Sequence, residues 1–419
     1  MASKNIIIAG SLGTLVEWAE FCFYGYMISQ FSHLFFPMLT ANLAIIAGFG
    51  TFAVSYIARP LGGLLFGYIG DSGGRKKAFS GSILLMSIAT LGIGLLPSYQ
   101  LVGNLAPILL IFMRFLQGLA VAGEYPGSSI FIIEHHSHRP YFASSWIATA
   151  SAAGMLIGGL AAVIVSLPAM PTWAWRVPFC LSFFTCFVGF YIRRQLTETQ
   201  EYRQLLEKNQ IDLSPIKTVL KDFRLPLLQT AAIGAFVGIF VYVCNIWWIS
   251  FAIEKHYFSP FQARSLATIT MFAVVLCTPL MGWLADCRQG RTLMKFGIIG
   301  DIITVPILFY VTTFGSFTAM LGISLLYAIC HAAFTAPMFK YLADIFPTKV
   351  RYSGQSIAWN TAVAIFGSSA PLIAQMLSNQ GFLRILVLYV MLAGIIALWI
   401  SSKNVQALVK KSVMTETGA

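Results

Sequence analysis

The sequence predicts an all-α membrane protein with twelve transmembrane helices in two six-helix bundles. Three observations carry this expectation: a composition unfit for a water-facing surface, twelve apolar runs of spanning length, and matched motifs half a chain apart. Of 419 residues, 58% are hydrophobic and 10% are charged, and the mean hydropathy is +0.77. A soluble protein carries roughly 25% charged residues. The bilayer must therefore be the solvent for most of the molecule.

A helix that crosses the hydrocarbon core needs about 20 mostly apolar residues. Such runs lie at 5–30, 43–69, 79–97, 106–133, 142–167 and 174–195. After a charged stretch, six more lie at 226–252, 264–285, 294–313, 318–343, 354–377 and 382–402. The expected organisation is a bundle over 1–195, a cytoplasmic linker over 196–225, a second bundle over 226–404 and a cytoplasmic tail over 405–419. The N-terminus resembles a signal peptide in its early Lys4 and apolar run, but the run continues to Tyr26 without a small-residue cleavage site. An uncleaved first span is expected. The seven cysteines form no C-x-x-C and no zinc-like spacing with His, so they are expected to pack as small apolar residues. No metal or cofactor is expected.

Lys and Arg fix the orientation. With a cytoplasmic N-terminus, the cytoplasmic segments hold Lys4, Arg75, Lys76, Lys77, Arg139, seven basic residues from Arg193 to Arg224, Arg288, Arg291, Lys295, Lys349, Arg351, Lys403, Lys410 and Lys411. The other side holds at most Arg176, Lys255, Arg264 and Arg384. This asymmetry explains the net charge of +12 through anionic lipid rather than nucleic acid.

The halves repeat. GYIGDSGGRKK from Gly67 and GWLADCRQGR from Gly282 both place an Asp and then Gly-Arg at the cytoplasmic end of an even-numbered span. Glu134 with Arg139 matches Asp344 with Lys349 and Arg351. The offsets, 215 and 210 residues, are close to half the chain, as in a transporter built from two parallel repeats.

Charged side chains inside spans are costly, at least ~2.5–3.5 kcal/mol at a helix centre. The first half holds Glu17, Glu20, Arg59, Arg114 and Glu124; the second holds Asp301, His331 and Lys340. Glu20, Arg114, Glu124 and Glu17 are candidates for proton coupling, because a carboxylate in low dielectric readily holds a proton and a neighbouring Arg can modulate it. Arg59 and Arg114 are candidates for holding an anionic substrate group. The alternative is a set of static ion pairs that staple helices together. Tyr24, Trp359 and Asn360 are further candidates for lining the cavity.

The repeated loops suggest gates. Asp71 ends span 2 on the face where span 11 begins, so it could rest on the positive end of that helix and on Arg75. Glu134, Arg139, Asp286, Arg291, Asp344 and Arg351 complete the candidate gate set. Glycines on spans 2, 4 and 5 are expected to let helices approach closely. Trp247 and Trp248 are expected at an interface or in lipid.

These residues carry a family resemblance over nearly the whole chain. Gly13, Thr14, Glu17, Trp18, Phe21, Tyr24 and Gly25; Arg59–Gly63 with Gly67, Gly70, Asp71, Gly74 and Arg75; RFLQGLAVAGE from Arg114 to Glu124; WRVPF from Trp175; and DIFPTKVRYSG from Asp344 resemble the metabolite:H+ symporters of the major facilitator superfamily. Glu20 stands where that family carries an Asp. The resemblance implies a monomeric inner-membrane carrier that takes up an organic acid, proline or betaine together with protons, drawing on the proton gradient. A proton-driven exporter of drug-like or siderophore-like compounds is the rival reading. A receptor lacks room for a signalling domain, and an enzyme lacks a nucleotide loop or nucleophile–base motif.

Overall fold

The computed structural model describes residues 2–403 apart from 137 and 168; the tail expected at 405–419 lies outside the described residues. Twelve helices among them are long and apolar enough to cross a membrane. Spans 1–6 are Ile6–Tyr26, Gly50–Gly73, Arg75–Leu95, Leu105–His135, Pro140–Val165 and Arg176–Arg194. Spans 7–12 are Arg224–Glu254, Pro260–Cys287, Gly290–Thr312, Phe317–Asp344, Thr348–Asn379 and Leu383–Ser402. Large apolar side chains such as Leu181, Phe184, Leu392 and Trp399 are more than half exposed. In a bilayer these are the lipid-facing surface, so the burial logic of a soluble protein is inverted here.

Within the first bundle, span 1 packs on span 5, span 2 on span 4 and span 3 on span 6. Lipid gives no hydrophobic drive for helices to associate, so small residues and close packing decide the contacts. A Cβ at Gly118 would strike the Ser55 carbonyl of span 2, and one at Gly158 the Ala19 carbonyl of span 1. The two bundles meet along two seams: span 2 against span 11, and span 5 against span 8. A Cβ at Gly67 would lie 2.8 Å from Ser353 Cα, so glycine there lets the first seam close.

Local structure departs from the sequence expectation in three places. The first helix ends at Tyr26, and a separate short helix, Ile28–Phe35, follows. The charged linker folds into two short helices, Gln200–Glu207 and Pro215–Asp222, which bury Tyr202 and Val219. Trp247 and Trp248 are 5% and 3% exposed and do not face lipid. Their indole N–H groups donate to Gln375 Oε1 at 2.8 Å and Thr312 Oγ1 at 2.9 Å, because a buried indole requires an acceptor.

Among the described residues, three π-helical turns interrupt the spans: Ile69–Gly73 ends span 2, Tyr242–Trp247 lies within span 7 and Val363–Gly367 within span 11. Such insertions free backbone groups and re-aim side chains, often at functional sites.

Candidate functional site

A cavity of about 70 Å³ lies between the bundles. Glu17, Trp18, Arg59 and Tyr125 line it from the first bundle; Tyr242, Asn245, His331, Trp359 and Asn360 line it from the second. Two of these, Tyr242 and Asn245, come from the π turn of span 7.

Arg59 is 4% exposed. Its guanidinium rests 4.7 Å from the Tyr56 ring and 5.4 Å from the Phe21 ring. Among the described residues no hydrogen bond or ion pair engages it, and Nε is buried without a partner. Glu17 is in the same condition: 3% exposed, with Oε2 buried and unpartnered. A buried charge without a partner is expensive, and both side chains line the cavity. One turn along span 2, the Tyr56 and Tyr242 hydroxyls meet across the bundles.

Glu20 and Arg114 lie behind this cavity and do not line it. Arg114 donates to Gln117 Oε1 at 2.8 Å and to Ser55 Oγ at 3.1 Å. Gln117 Nε2 in turn donates to Glu20 Oε2 at 2.8 Å, and Thr90 donates to the same oxygen. The Arg and the Glu are thus linked through an amide instead of in direct contact. Glu20 Oε1 has no partner. Tyr24 lies under Arg114, 4.2 Å from ring to guanidinium, and stacks on Phe31. It belongs to this polar pocket and not to the cavity wall.

Glu124 is engaged differently from the sequence expectation. Arg193 of span 6 grips both of its oxygens, and Ser82 and Ser128 each donate at 3.0 Å. Arg193 also donates to the Ala9 carbonyl at 2.9 Å and stacks on Phe79 at 3.6 Å. Four spans are tied at one point. Each carboxylate oxygen accepts two hydrogen bonds, which is the arrangement of a staple.

The gate candidates divide. At the face that carries the linker, Asp71 accepts the backbone N–H groups of Tyr352 at 3.1 Å and Ser353 at 2.7 Å and pairs with Arg75. Arg75 reaches Glu134 at 3.5 Å, and Arg351 reaches Glu134 at 2.8 Å. On the same face Asp286 accepts the backbone N–H groups of Tyr141 at 3.0 Å and Phe142 at 2.8 Å. Each Asp thus caps the first turn of a span in the other bundle, where the helix dipole favours an anion.

Arg139, Arg291 and Asp344 stand apart from these latches. Arg139 is exposed. Arg291 donates to the carbonyls of Ser401 at 2.8 Å and Lys403 at 3.1 Å, closing the end of span 12. Asp344 pairs with Lys340 one turn back. The repeat motif marks their place in the chain, but helix rotation decides what they meet. Glu201 of the linker was not singled out by sequence, yet it pairs with Arg351 and accepts from Thr348 Oγ1 at 3.2 Å.

Asn360 joins the bundles midway, donating to the Ala122 carbonyl at 3.0 Å. Higher on the same seam Tyr352 donates to the Gly123 carbonyl at 2.8 Å. The sequence profile of the Major Facilitator Superfamily matches residues 21–257, more than half of the chain. The chain belongs to the major facilitator superfamily.

Within that superfamily it is similar to the glycine betaine/proline/ectoine/pipecolic acid transporter of Dickeya dadantii, with 32% identity over 94% of this chain and 82% of that one. The alpha-ketoglutarate permease of Escherichia coli is 32% identical over 94% and 92%. Among solved structures, the proton:xylose symporter XylE bound to 6-bromo-6-deoxy-D-glucose superposes with a TM-score of 0.74 over 96% of this chain and 94% of that one, at 15% identity. A bacterial homologue of the iron transporter ferroportin in an outward-facing state gives 0.71 at 12% identity. These structural likenesses show the fold alone, two six-helix bundles; the family match and the relatives make the chain a multi-pass membrane transporter.

Proposed function

We propose that this transporter takes up a small metabolite bearing a carboxylate, together with protons, by alternating access across a bacterial inner membrane. Its N- and C-termini are cytoplasmic in this reading, it acts as a monomer, and the proton gradient is its energy source. The observation that supports the substrate class is Arg59, a guanidinium facing the cavity with no partner. A carboxylate would complete it with charge-assisted hydrogen bonds. Trp18, Tyr125 and Trp359 supply apolar walls, and Glu17 balances the charge or meets a cationic group on a zwitterion.

Glu20 is the proton carrier in this scheme. It is buried, has a free oxygen, and senses Arg114 through Gln117. The Asp71 and Asp286 latches close the cytoplasmic side, and their release lets the cavity open there. The names of the relatives, betaine, proline and ketoglutarate carriers, fit one carboxylate-binding Arg.

The test is uptake into proteoliposomes holding a pH dye. Adding proline, glycine betaine or 2-oxoglutarate outside should acidify the lumen as solute enters. Lumenal alkalinisation on solute entry would favour the exporting exchanger, and transport with no proton movement would reject coupling.

A further inference from the structure

The second bundle carries an ionisable pair that the coupling scheme leaves unused. Asp301 of span 9 has no exposed surface, and His331 of span 10 is 5% exposed. His331 Nδ1 lies 3.2 Å from Asp301 Oδ2. The imidazole packs with Phe240 at 5.2 Å and Tyr327 at 5.6 Å, nearly parallel to both, and those two rings lie 5.3 Å from each other. His331 lines the central cavity, while Asp301 does not.

We infer that His331 and Asp301 form a proton-binding site of the second bundle, opening on the cavity. With Nδ1 donating to Asp301, Nε2 is the ring nitrogen left to exchange. A proton taken from cavity water onto Nε2 turns a buried net negative pair into an imidazolium–carboxylate pair, and its return to water restores the anion. Asp301 Oδ1 has no partner, so the carboxylate's charge is answered by the ring alone.

The surroundings permit this. The titratable groups that reach Asp301 are Cys244 from span 7 and Tyr327, Cys330 and His331 from span 10. None is a fixed cation. Spans 5, 8 and 12 also pack on these helices; span 5 carries no Asp, Glu, Lys or Arg, and Arg264, Asp286 and Arg384 lie at the ends of the other two. Without a neighbouring Lys or Arg, a proton is the means of neutralising the pair. Phe240 and Tyr327 pack on the ring together and restrict its rotation. Glu17 and Arg59 line the same cavity from the first bundle. The role in transport rests on the proton coupling proposed above; the binding itself does not.

Two measurements test it. In full-length protein labelled with nitrogen-15 histidine, the ring signals missing from His331→Gln should pass from neutral to imidazolium positions in one step between pH 5 and 9, and Asp301→Asn should move that midpoint by at least one pH unit. A ring that keeps one protonation state across this range overturns the site. In proteoliposomes, Asp301→Asn should exchange radiolabelled proline or 2-oxoglutarate, whichever the wild type exchanges, within twofold of the wild-type rate. Its accumulation under a gradient of one pH unit should fall about tenfold, the factor one coupled proton supplies. Unchanged accumulation overturns the site's part in the cycle. Should Asp301→Asn fail to fold, His331→Gln takes its place, and the wild-type titration decides independently. A wild type that accumulates nothing under a pH gradient overturns the coupling proposal instead, leaving the ring titration to judge this one.

Discussion

Asp71 Oδ2 lies 2.7 Å from the backbone nitrogen of Ser353, so a side chain that ends one bundle's helix caps the start of a helix in the other. An anion at a helix N-terminus contributes up to ~2 kcal/mol in a partly buried site. Asp71→Ala should therefore shift the population toward the linker-face-open state by about tenfold or more. Spin labels on the linker-face ends of spans 2 and 11 should report longer distances in the variant. Identical distance distributions would show that the cap does not hold the gate.

Gly67 faces Ser353 Cα at a distance that leaves no room for a side chain. Gly67→Val should hold the same seam apart and reduce transport, while the protein stays folded in detergent. Wild-type uptake by this variant would mean the seam does not need to close.

Glu124→Gln would strand Arg193 as a buried charge, at a cost of ~3–5 kcal/mol. The apparent melting temperature should drop clearly. Glu17→Gln removes a carboxylate that has no bonded partner and should melt close to the wild type. Thermal denaturation of both variants decides; equal melting points would remove the staple role from Glu124.

Arg59→Lys keeps the charge but loses the planar fork. If the carboxylate binds there, loss of charge-assisted hydrogen bonding worth ~1.5–3 kcal/mol raises KM about 10- to 100-fold. Uptake kinetics test this, and an unchanged KM would move the substrate elsewhere.

Glu20→Gln should leave exchange intact and lower pH-driven accumulation about tenfold at a gradient of one pH unit. Its amide fills the same space beside Thr90 and Gln117. Full accumulation in a counterflow-competent variant would release Glu20 from coupling.

The twelve spans were legible because a run of 20 apolar residues has few other fates. The Asp71 contact was legible because the repeat and the positive-inside bias fixed which helix begins on its face. The partner of Glu124 was not, since Arg193 is 69 residues away and reads as one more topogenic cation. Tyr24 was assigned to the cavity and Tyr125 and Tyr242 were overlooked for one reason. In a sequence where every helix face is apolar, an aromatic toward lipid, core or cavity looks the same. Trp247 and Trp248 illustrate the same ambiguity in reverse.

The two seams differ in their polar contacts. At span 11, Asp71, Arg75, Glu134, Arg351 and the linker's Glu201 form a continuous network. At span 5, the partners of Asp286 among the described residues are backbone N–H groups. A symmetric fold has thus acquired a stiff edge and a loose one. Opening is expected to begin at the loose edge, like a clam that pivots on its ligament, with the connecting segment riding on the hinge instead of hanging free. Labels across spans 5 and 8 should separate before labels across spans 2 and 11.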